Sequence, residues 1–192
     1  MKLDNTKTKE NILKAFAGES QARNRYTYFA SVAKKENYPV ISAIFEETAN
    51  HEKEHAKRLF KLLEGGDELE ITASFPAGKI GTTLENLVAS ANGEHEENSE
   101  MYPNFAKVAR EEGFEMIAQV FENIAKAEIY HEERFKKLIE DLEKDGLFKK
   151  EGLTVWKCTN CGFHITAKDA PLVCPACNHK REYFVALDEK LY

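Results

Sequence analysis

Proline, glycine and cysteine are all scarce in this chain, and each scarcity excludes something. Five prolines and ten glycines among 192 residues leave long stretches without a breaker, which favours long uninterrupted helices. No apolar run is long enough for a spanning helix or a signal peptide, and the opening MKLDNTKTKENILKAF is studded with charge. No membrane association is expected, and the cytoplasm is the expected compartment. A basic excess is missing too: the formal charge is −6, whereas a general nucleic-acid binder carries a basic patch or stripe. No G-x-G-x-x-G fingerprint occurs, so any nicotinamide chemistry belongs to a separate protein. There are four cysteines, none before Cys158, arranged as Cys158/Cys161 and Cys174/Cys177. Paired C-x-x-C units without an export signal read as a metal site rather than a disulfide framework.

What remains is 42% hydrophobic and 31% charged, the balance of a soluble globular protein. The length accommodates a medium domain plus a small one. Residues 5 to about 145 read as four helices with breaks at Asn37-Tyr38-Pro39, over Gly65–Thr82 and at Gly113. The first and third breaks are short, so helices one and two, and three and four, are expected to be antiparallel neighbours. The middle break is long enough to run the length of the bundle. The expected fold is an all-α, ferritin-like four-helix bundle with a long crossover, covering residues 1–146. A small β-rich metal domain is expected over residues 152–192, too short for a core without a metal staple.

The two helical pairs form an internal repeat. At an offset of 76, Tyr26 matches Tyr102, Phe29 matches Phe105, Phe45 matches Phe121, Glu52 matches Glu128 and His55 matches His131. Upstream the register slips, because Glu19 matches Glu94 at 75. One extra residue inside an intact helix predicts a π-bulge between Glu94 and Tyr102.

The carboxylates fall where they should not. Helix two carries the inward stripe Ile41, Phe45, Thr48, Glu52, His55, Leu59 and Leu62. Helix four carries Ile117, Phe121, Ile124, Glu128, His131, Phe135 and Leu138. Glu19 shares a stripe with Ile12, Phe16 and Tyr26, and Glu94 one with Leu84, Leu87 and Ala91, with Glu97 a turn further on. A buried carboxylate must pair, protonate or bind metal. Lys and Arg do not occupy these stripes in matching number. Two metal ions are the simplest counter-charge, and one Glu from each of two helices plus Glu-x-x-His from each of the others is a di-metal arrangement of such bundles. Carboxylate with imidazole suits iron or manganese better than copper. Glu46, Glu47, Glu54, Glu96, Glu100, Glu132 and Glu133 read as solvated faces.

His51-Glu52-Lys53-Glu54-His55 also fits the zinc-protease pattern H-E-x-x-H. The matching segment of the repeat has Ala127 in place of the first histidine, so His51 reads as outward and incidental. His95 lies off the stripe, His164 falls between strands of the cysteine segment, and His179 is placed either to tune that site or on the surface. The four cysteines suit a tetrahedral S4 site holding zinc or iron, which spacing alone does not separate. Fusion to a redox centre favours iron.

These residues resemble the rubrerythrin family over nearly the whole chain. The resemblance lies in GESQARNRYTYFA around Glu19, the two Glu-x-x-His helices, GEHEEN around Glu94 and Glu97, and CxxCG…CPxC at the end. It implies a ferritin-like domain joined to a rubredoxin-like one, and a non-haem di-iron peroxidase reducing hydrogen peroxide to water in oxidative-stress defence. Glu52 and Glu128 would bridge two irons. Glu19 and Glu94 would be terminal ligands, with His131 on the iron of Glu94. Glu97 and His55 would exchange on one iron between oxidation states. Tyr26 and Tyr102, otherwise ordinary core aromatics, would hydrogen-bond ligand carboxylates. A third iron on Cys158, Cys161, Cys174 and Cys177 would relay electrons from an NAD(P)H-linked reductase or rubredoxin-type donor, in a head-to-tail homodimer. Two departures stand out: the spacer between Cys161 and Cys174 is shorter than in free-standing rubredoxins, and Asn178 stands where a knuckle often has Gly. The alternatives are a ferroxidase or iron-storage relative, which needs no S4 domain, and a zinc-ribbon regulator, which leaves the inward carboxylates without counter-charge.

Overall fold

The computed structural model describes residues 2–63 and 65–187. Residues 1, 64 and 188–192 of the two expected domains lie outside the described residues. Four long helical rods form the bundle: α1 (Lys7–Lys35), α2 (Pro39–Phe60), a third rod of α3 (Thr83–Glu96) and α4 (Tyr102–Glu111), and α5 (Glu115–Glu143). α1 packs along α2, and the third rod along α5.

Local chemistry sets the ends of these rods. The Thr6 hydroxyl accepts from the Lys9 N–H at the start of α1, and the Glu112 carboxylate, from the far end of α4, accepts from the N–H groups of Lys7 and Thr8. These bonds satisfy donors that a helix start leaves free. Both tight turns use a left-handed residue, Asn37 (φ 64°) and Gly113 (φ 83°). In each, the next N–H reaches back to close the helix: Tyr38 to the Ala33 carbonyl (2.8 Å) and Phe114 to the Ala109 carbonyl (2.7 Å). The turns are thus one motif used twice, at the offset of the repeat. Between α2 and α3 the described residues form neither helix nor strand, and the crossover ends in a reciprocal capping box between Thr82 and Glu85.

The expected bulge is present as a π segment, Glu97–Met101, where the Tyr102 N–H bonds to the Glu97 carbonyl five residues back. One added residue is absorbed there, so Tyr102 and everything after it returns to register with Tyr26.

Apolar packing repeats the pattern at both ends of the bundle. Tyr26 lies 6.1 Å from Phe45 and Tyr102 lies 5.9 Å from Phe121; Phe29–Phe45 and Phe105–Phe121 are both 5.7 Å apart and edge-on. One cluster gathers Phe29, Ile41, Phe45, Phe135 and Leu138, the other Ile12, Leu59, Ile117 and Phe121. Each fully buried phenylalanine contributes roughly 1.5–3 kcal/mol. The inward Glu and His residues form a polar layer among these buried side chains.

The C-terminal sheet has order β2-β1-β3, all antiparallel, from β1 (Lys149–Cys158), β2 (His164–Asp169) and β3 (Phe184–Ala186). Its core is small: Trp156, Ala170, Phe184 and Ala186 with two of the cysteines, Cys158 and Cys174. It docks on the bundle end through Val185, which joins the cluster of Val40 and Ile41 with Tyr38 and Leu147 against it. No helix among the described residues is long and apolar enough to cross a membrane.

One assignment to the solvated face is overturned. Glu132 is buried, accepting from the Asn98 amide (2.7 Å) and held by Lys136 and His95. Its desolvation is offset by three partners from two rods.

Candidate metal centres

Glu19, Glu52, Glu94 and Glu128 come from four different rods, and each is at most 1% exposed. Helical spacing places a histidine one turn after Glu52 and Glu128, on the same inward face. His55 Nδ1 lies 2.9 Å from Glu128 Oε1, 3.0 Å from Glu52 Oε2 and 3.7 Å from Glu19 Oε2. His131 Nδ1 lies 2.6 Å from Glu128 Oε2, 3.2 Å from Glu52 Oε1 and 3.9 Å from Glu94 Oε1. Glu52 and Glu128 therefore each present one oxygen to either side. Two four-residue groups result, Glu19/Glu52/His55/Glu128 and Glu52/Glu94/Glu128/His131, each with its ligand atoms within 4.8 Å of one another.

The tyrosines cross between repeats. The Tyr26 hydroxyl donates to Glu94 Oε1 (2.5 Å), and the Tyr102 hydroxyl donates to Glu19 Oε1. Burial, reinforced by nearby carboxylates, raises both phenols well above their ordinary range, so both remain donors.

Protons alone serve this layer badly. Burial pushes the Glu19 carboxyl up to about 8, with Glu128 and Glu52 adding to it against His55. Burial and the charges of Glu52 and Glu128 hold Glu94 well above the carboxylate range. Burial would raise Glu52 as well, but the close approach of His131 and His55 outweighs it and holds the carboxyl at about 2. Burial lowers His131, yet Glu128 and Glu52 drive it up to about 9; the same balance raises His55. The two imidazoliums are thus the positive charge that this chain itself brings to the layer. That compensation is incomplete: beyond the charged contacts with the two imidazoles, Glu19 Oε2, Glu52 Oε1, Glu94 Oε2, both oxygens of Glu128 and His131 Nδ1 are buried with no hydrogen bond of good geometry. Buried groups of this kind are normally satisfied, and two divalent cations with oxygen and imidazole ligands fit the donor set.

Glu97 is set apart. It opens the π segment, half-buried and outside both groups. Burial, with Glu19, Glu128 and Glu52 nearby, raises its carboxyl well above the usual range. Of the exchanging pair, the structure brings in His55 and leaves Glu97 out.

The second centre is made of two matching knuckles. The Cys158 N–H bonds to the Phe163 carbonyl and its carbonyl accepts from Gly162; Cys174 does the same with His179 and Asn178. Gly162 (φ 76°) and Asn178 (φ 59°) occupy equivalent left-handed positions, which accounts for asparagine where glycine is common. All four thiols are free, and the Sγ atoms of Cys158–Cys177 and Cys161–Cys174 are 3.7 Å apart. Sulfurs at tetrahedral corners about 2.3 Å from one ion lie about 3.8 Å apart, so the cage has the right size. The His179 backbone N–H, bonded to the Cys177 sulfur, helps hold that thiol down at about 6. His179 tunes the site through its main chain, while its ring stacks edge-on against Tyr183 at 4.8 Å.

The family model described as Rubrerythrin matches residues 10–139, and the one described as Rubrerythrin, rubredoxin-like domain, matches 156–185. The chain belongs to the rubrerythrin family. It is 58% identical to a rubrerythrin of Porphyromonas gingivalis, covering 93% of this chain and 89% of the relative. It is 56% identical to one of Nitratidesulfovibrio vulgaris, covering 96% of each. Among solved structures, fully reduced, all-ferrous nigerythrin is similar at 32% identity with a TM-score of 0.64, covering 96% of this chain and 91% of that one. As a rubrerythrin, the chain combines a di-iron site in the bundle with an iron site on the four cysteines, and it is an oxidoreductase of the peroxidase type.

Sequence reasoning missed three residues around the bundle site. Arg134 is buried one turn after His131, donating to Glu47 (2.5 Å) and Thr48 (2.7 Å). The Asn98 amide donates to the Glu94 carbonyl (2.7 Å) as well as to Glu132. His51, incidental by the logic of the repeat, is exposed but places Nδ1 3.1 Å from His131 Nε2. The first two carry no readable signal, since Arg and Asn on helices are ordinary. His51 carries one, the i,i+4 spacing to His55, which the match with Ala127 outweighs.

Proposed function

We propose that this rubrerythrin reduces hydrogen peroxide to water, with Glu19, Glu52, Glu94, Glu128, His131 and either His55 or Glu97 as ligands of two irons. The reading divides the chain into residues 1–146 for the peroxide chemistry and 152–192 for electron supply. One observation carries it: buried carboxylate oxygens of four rods converge without hydrogen-bond partners. When bound, two ferrous ions supply the two electrons that a peroxide O–O bond takes up on cleavage, with two protons, to give two waters.

The chain's own residues do the rest. Glu52 and Glu128, each presenting one oxygen to either group, would bridge the two ions. Tyr26 and Tyr102 donate to Glu94 Oε1 and Glu19 Oε1 and so fix the orientation of both carboxylates, leaving Glu19 Oε2 facing His55. The rings of Phe45, Phe121 and Phe135 keep bulk water from the layer, which strengthens every charge interaction within it. Glu97 on the π segment and His55 on α2 would be the alternating ligands.

Electrons enter at the cysteine site from an NAD(P)H-linked reductase or a rubredoxin-type donor. Within one chain the sheet docks beside Val40 and Ile41, at the start of α2, while Glu52 lies 12 residues beyond Val40. At 1.5 Å per residue that is about 18 Å along the helix before the S4 cage is reached. The separation supports a head-to-tail homodimer in which one chain's cysteine site serves its partner's bundle.

The test is anaerobic turnover of the iron-loaded protein with a reductase and NADH. One NADH consumed per peroxide, with a red chromophore and three irons per chain, is expected. Slow peroxide consumption beside fast dioxygen-dependent iron oxidation would overturn the assignment in favour of a ferroxidase.

A further inference from the structure

The two histidines of the bundle site are equivalent in the repeat but not in their surroundings. His55 and His131 both turn Nδ1 toward the carboxylates. Their outer nitrogens differ. His131 Nε2 lies 3.1 Å from His51 Nδ1, and the two rings are nearly parallel, centroids 5.3 Å apart and planes within 11°, so they meet edge to edge as an in-plane N–H···N bond requires. His55 Nε2 has no hydrogen-bond partner among the described residues. The cause is one substitution in the repeat. His51 precedes His55 by one turn on α2, and its counterpart on α5 is Ala127, which offers nothing.

We propose that His51 is a positioning residue: it tethers His131 through Nε2, leaving His55 as the untethered member of the pair. The inference rests on the di-iron reading. A neutral imidazole bound to an ion through Nδ1 carries its proton on Nε2, so His131 donates and His51 Nδ1 accepts. His51 then holds its own proton on Nε2. A ligand histidine whose outer N–H is bonded is fixed in tautomer and ring orientation, and loss of such a partner typically weakens metal affinity about 10–100-fold. Here the partner is a second imidazole supplied by the facing helix, so it also ties α2 to α5 beside the site. His55 lacks that restraint and is free to leave the cluster when Glu97 enters.

The experiment compares the wild type, His51→Leu and His51→Gln in the full chain. Leucine fills space but accepts no hydrogen bond, whereas the glutamine carbonyl restores the acceptor. His51 is exposed, so both variants should fold, which circular dichroism checks. Stepwise cobalt(II) titration of the bundle site, in the full chain with its cysteine site already holding a metal, is followed by visible absorption, and the His131 Nε2–H is followed by nitrogen-15 NMR. In His51→Leu, one of the two binding steps should weaken by about 10–100-fold while the other is unchanged. His51→Gln should return it to within a few-fold of wild type. The His131 Nε2–H should exchange slowly in wild type and rapidly in the leucine variant. Two wild-type-like steps in His51→Leu, or equal weakening of both, would overturn the tether while leaving the di-metal reading intact. A wild type that takes up no ion between the helices overturns the metal reading and the tether together.

Discussion

Replacing Glu19 by glutamine should change stability in opposite directions with and without metal. Glu19 is 1% exposed, and burial holds its carboxyl at about 8 against an ordinary 4.5. Between those values the metal-free folded chain keeps a proton that the unfolded chain has released. The folded state then binds more protons, so stability falls as pH rises through that window. At about 1.36 kcal/mol per unit, the penalty is about 1 kcal/mol near pH 5 and about 3 kcal/mol near pH 7. Glutamine never ionises and keeps an oxygen for the Tyr102 hydroxyl, so metal-free Glu19→Gln should be more stable by those amounts. With metal the sign reverses, because the variant has lost an anionic ligand. Each tenfold loss of affinity removes about 1.4 kcal/mol of ligand-derived stability. Urea unfolding near pH 5 and pH 7, once with a chelator and once anaerobically with a fixed ferrous concentration, measures all four quantities. If Glu19→Gln destabilises the metal-free protein at both pH values, the carboxyl is not forced to take up a proton on folding, and the counter-charge argument fails.

Further outcomes follow from the same contacts. Tyr102→Phe leaves a buried Glu19 oxygen without its donor, which should cost about 1–3 kcal/mol by chemical denaturation and weaken metal binding. Phe135→Ala opens a cavity between Tyr26 and Phe45 and should cost about 3–5 kcal/mol. Glu112→Ala removes the acceptor at the start of α1, for a loss of about 1 kcal/mol. Although burial raises the Glu112 carboxyl, the Thr8 and Lys7 bonds leave it below its ordinary value. Its contribution is therefore present above the unfolded pKa and lost as pH falls through the folded one, so the wild-type advantage over Glu112→Ala should vanish in acid.

The architecture is legible in the sequence because two independent periodicities agree. Helical stripes locate the rods, and the 76-residue offset pairs Glu52 with Glu128 and His55 with His131, so the polar layer can be read as one object. The slip from 75 to 76 locates the π segment to within a few residues. What stays hidden are groups that act through other residues. Glu132 looks like any surface glutamate until Asn98, displaced by the π segment, is seen to donate to it. Arg134 looks like a solvated cation until Thr48 and Glu47 are seen to receive it. The repeat discounts His51 by lacking its counterpart, yet that departure from the repeat is what makes the two sides of the site differ. Symmetry in the sequence reports the scaffold, and its breaks report what each half does separately.

The π segment is the largest of those breaks, and it can be removed without disturbing the scaffold. A π-bulge is one residue inserted into an α-helix, so deleting Ser99 should restore a continuous helix with Glu94 and Tyr102 still on their inward faces. The Glu94 carbonyl, which now accepts from the Glu97 N–H and the Asn98 side chain, would return to an ordinary α-helical bond. Stability should therefore be kept or raised. Glu97 begins the segment, and its carboxyl stands outside both ligand groups in this arrangement. Straightening the helix turns the residues around it onto ordinary α-helical spacing and should remove its approach to the cluster. The deletion variant should unfold at wild-type or higher urea concentration and still bind two ions, yet turn over peroxide far more slowly. A variant that unfolds early would show the bulge to be a requirement of packing. One with wild-type turnover would show that Glu97 does not depend on it.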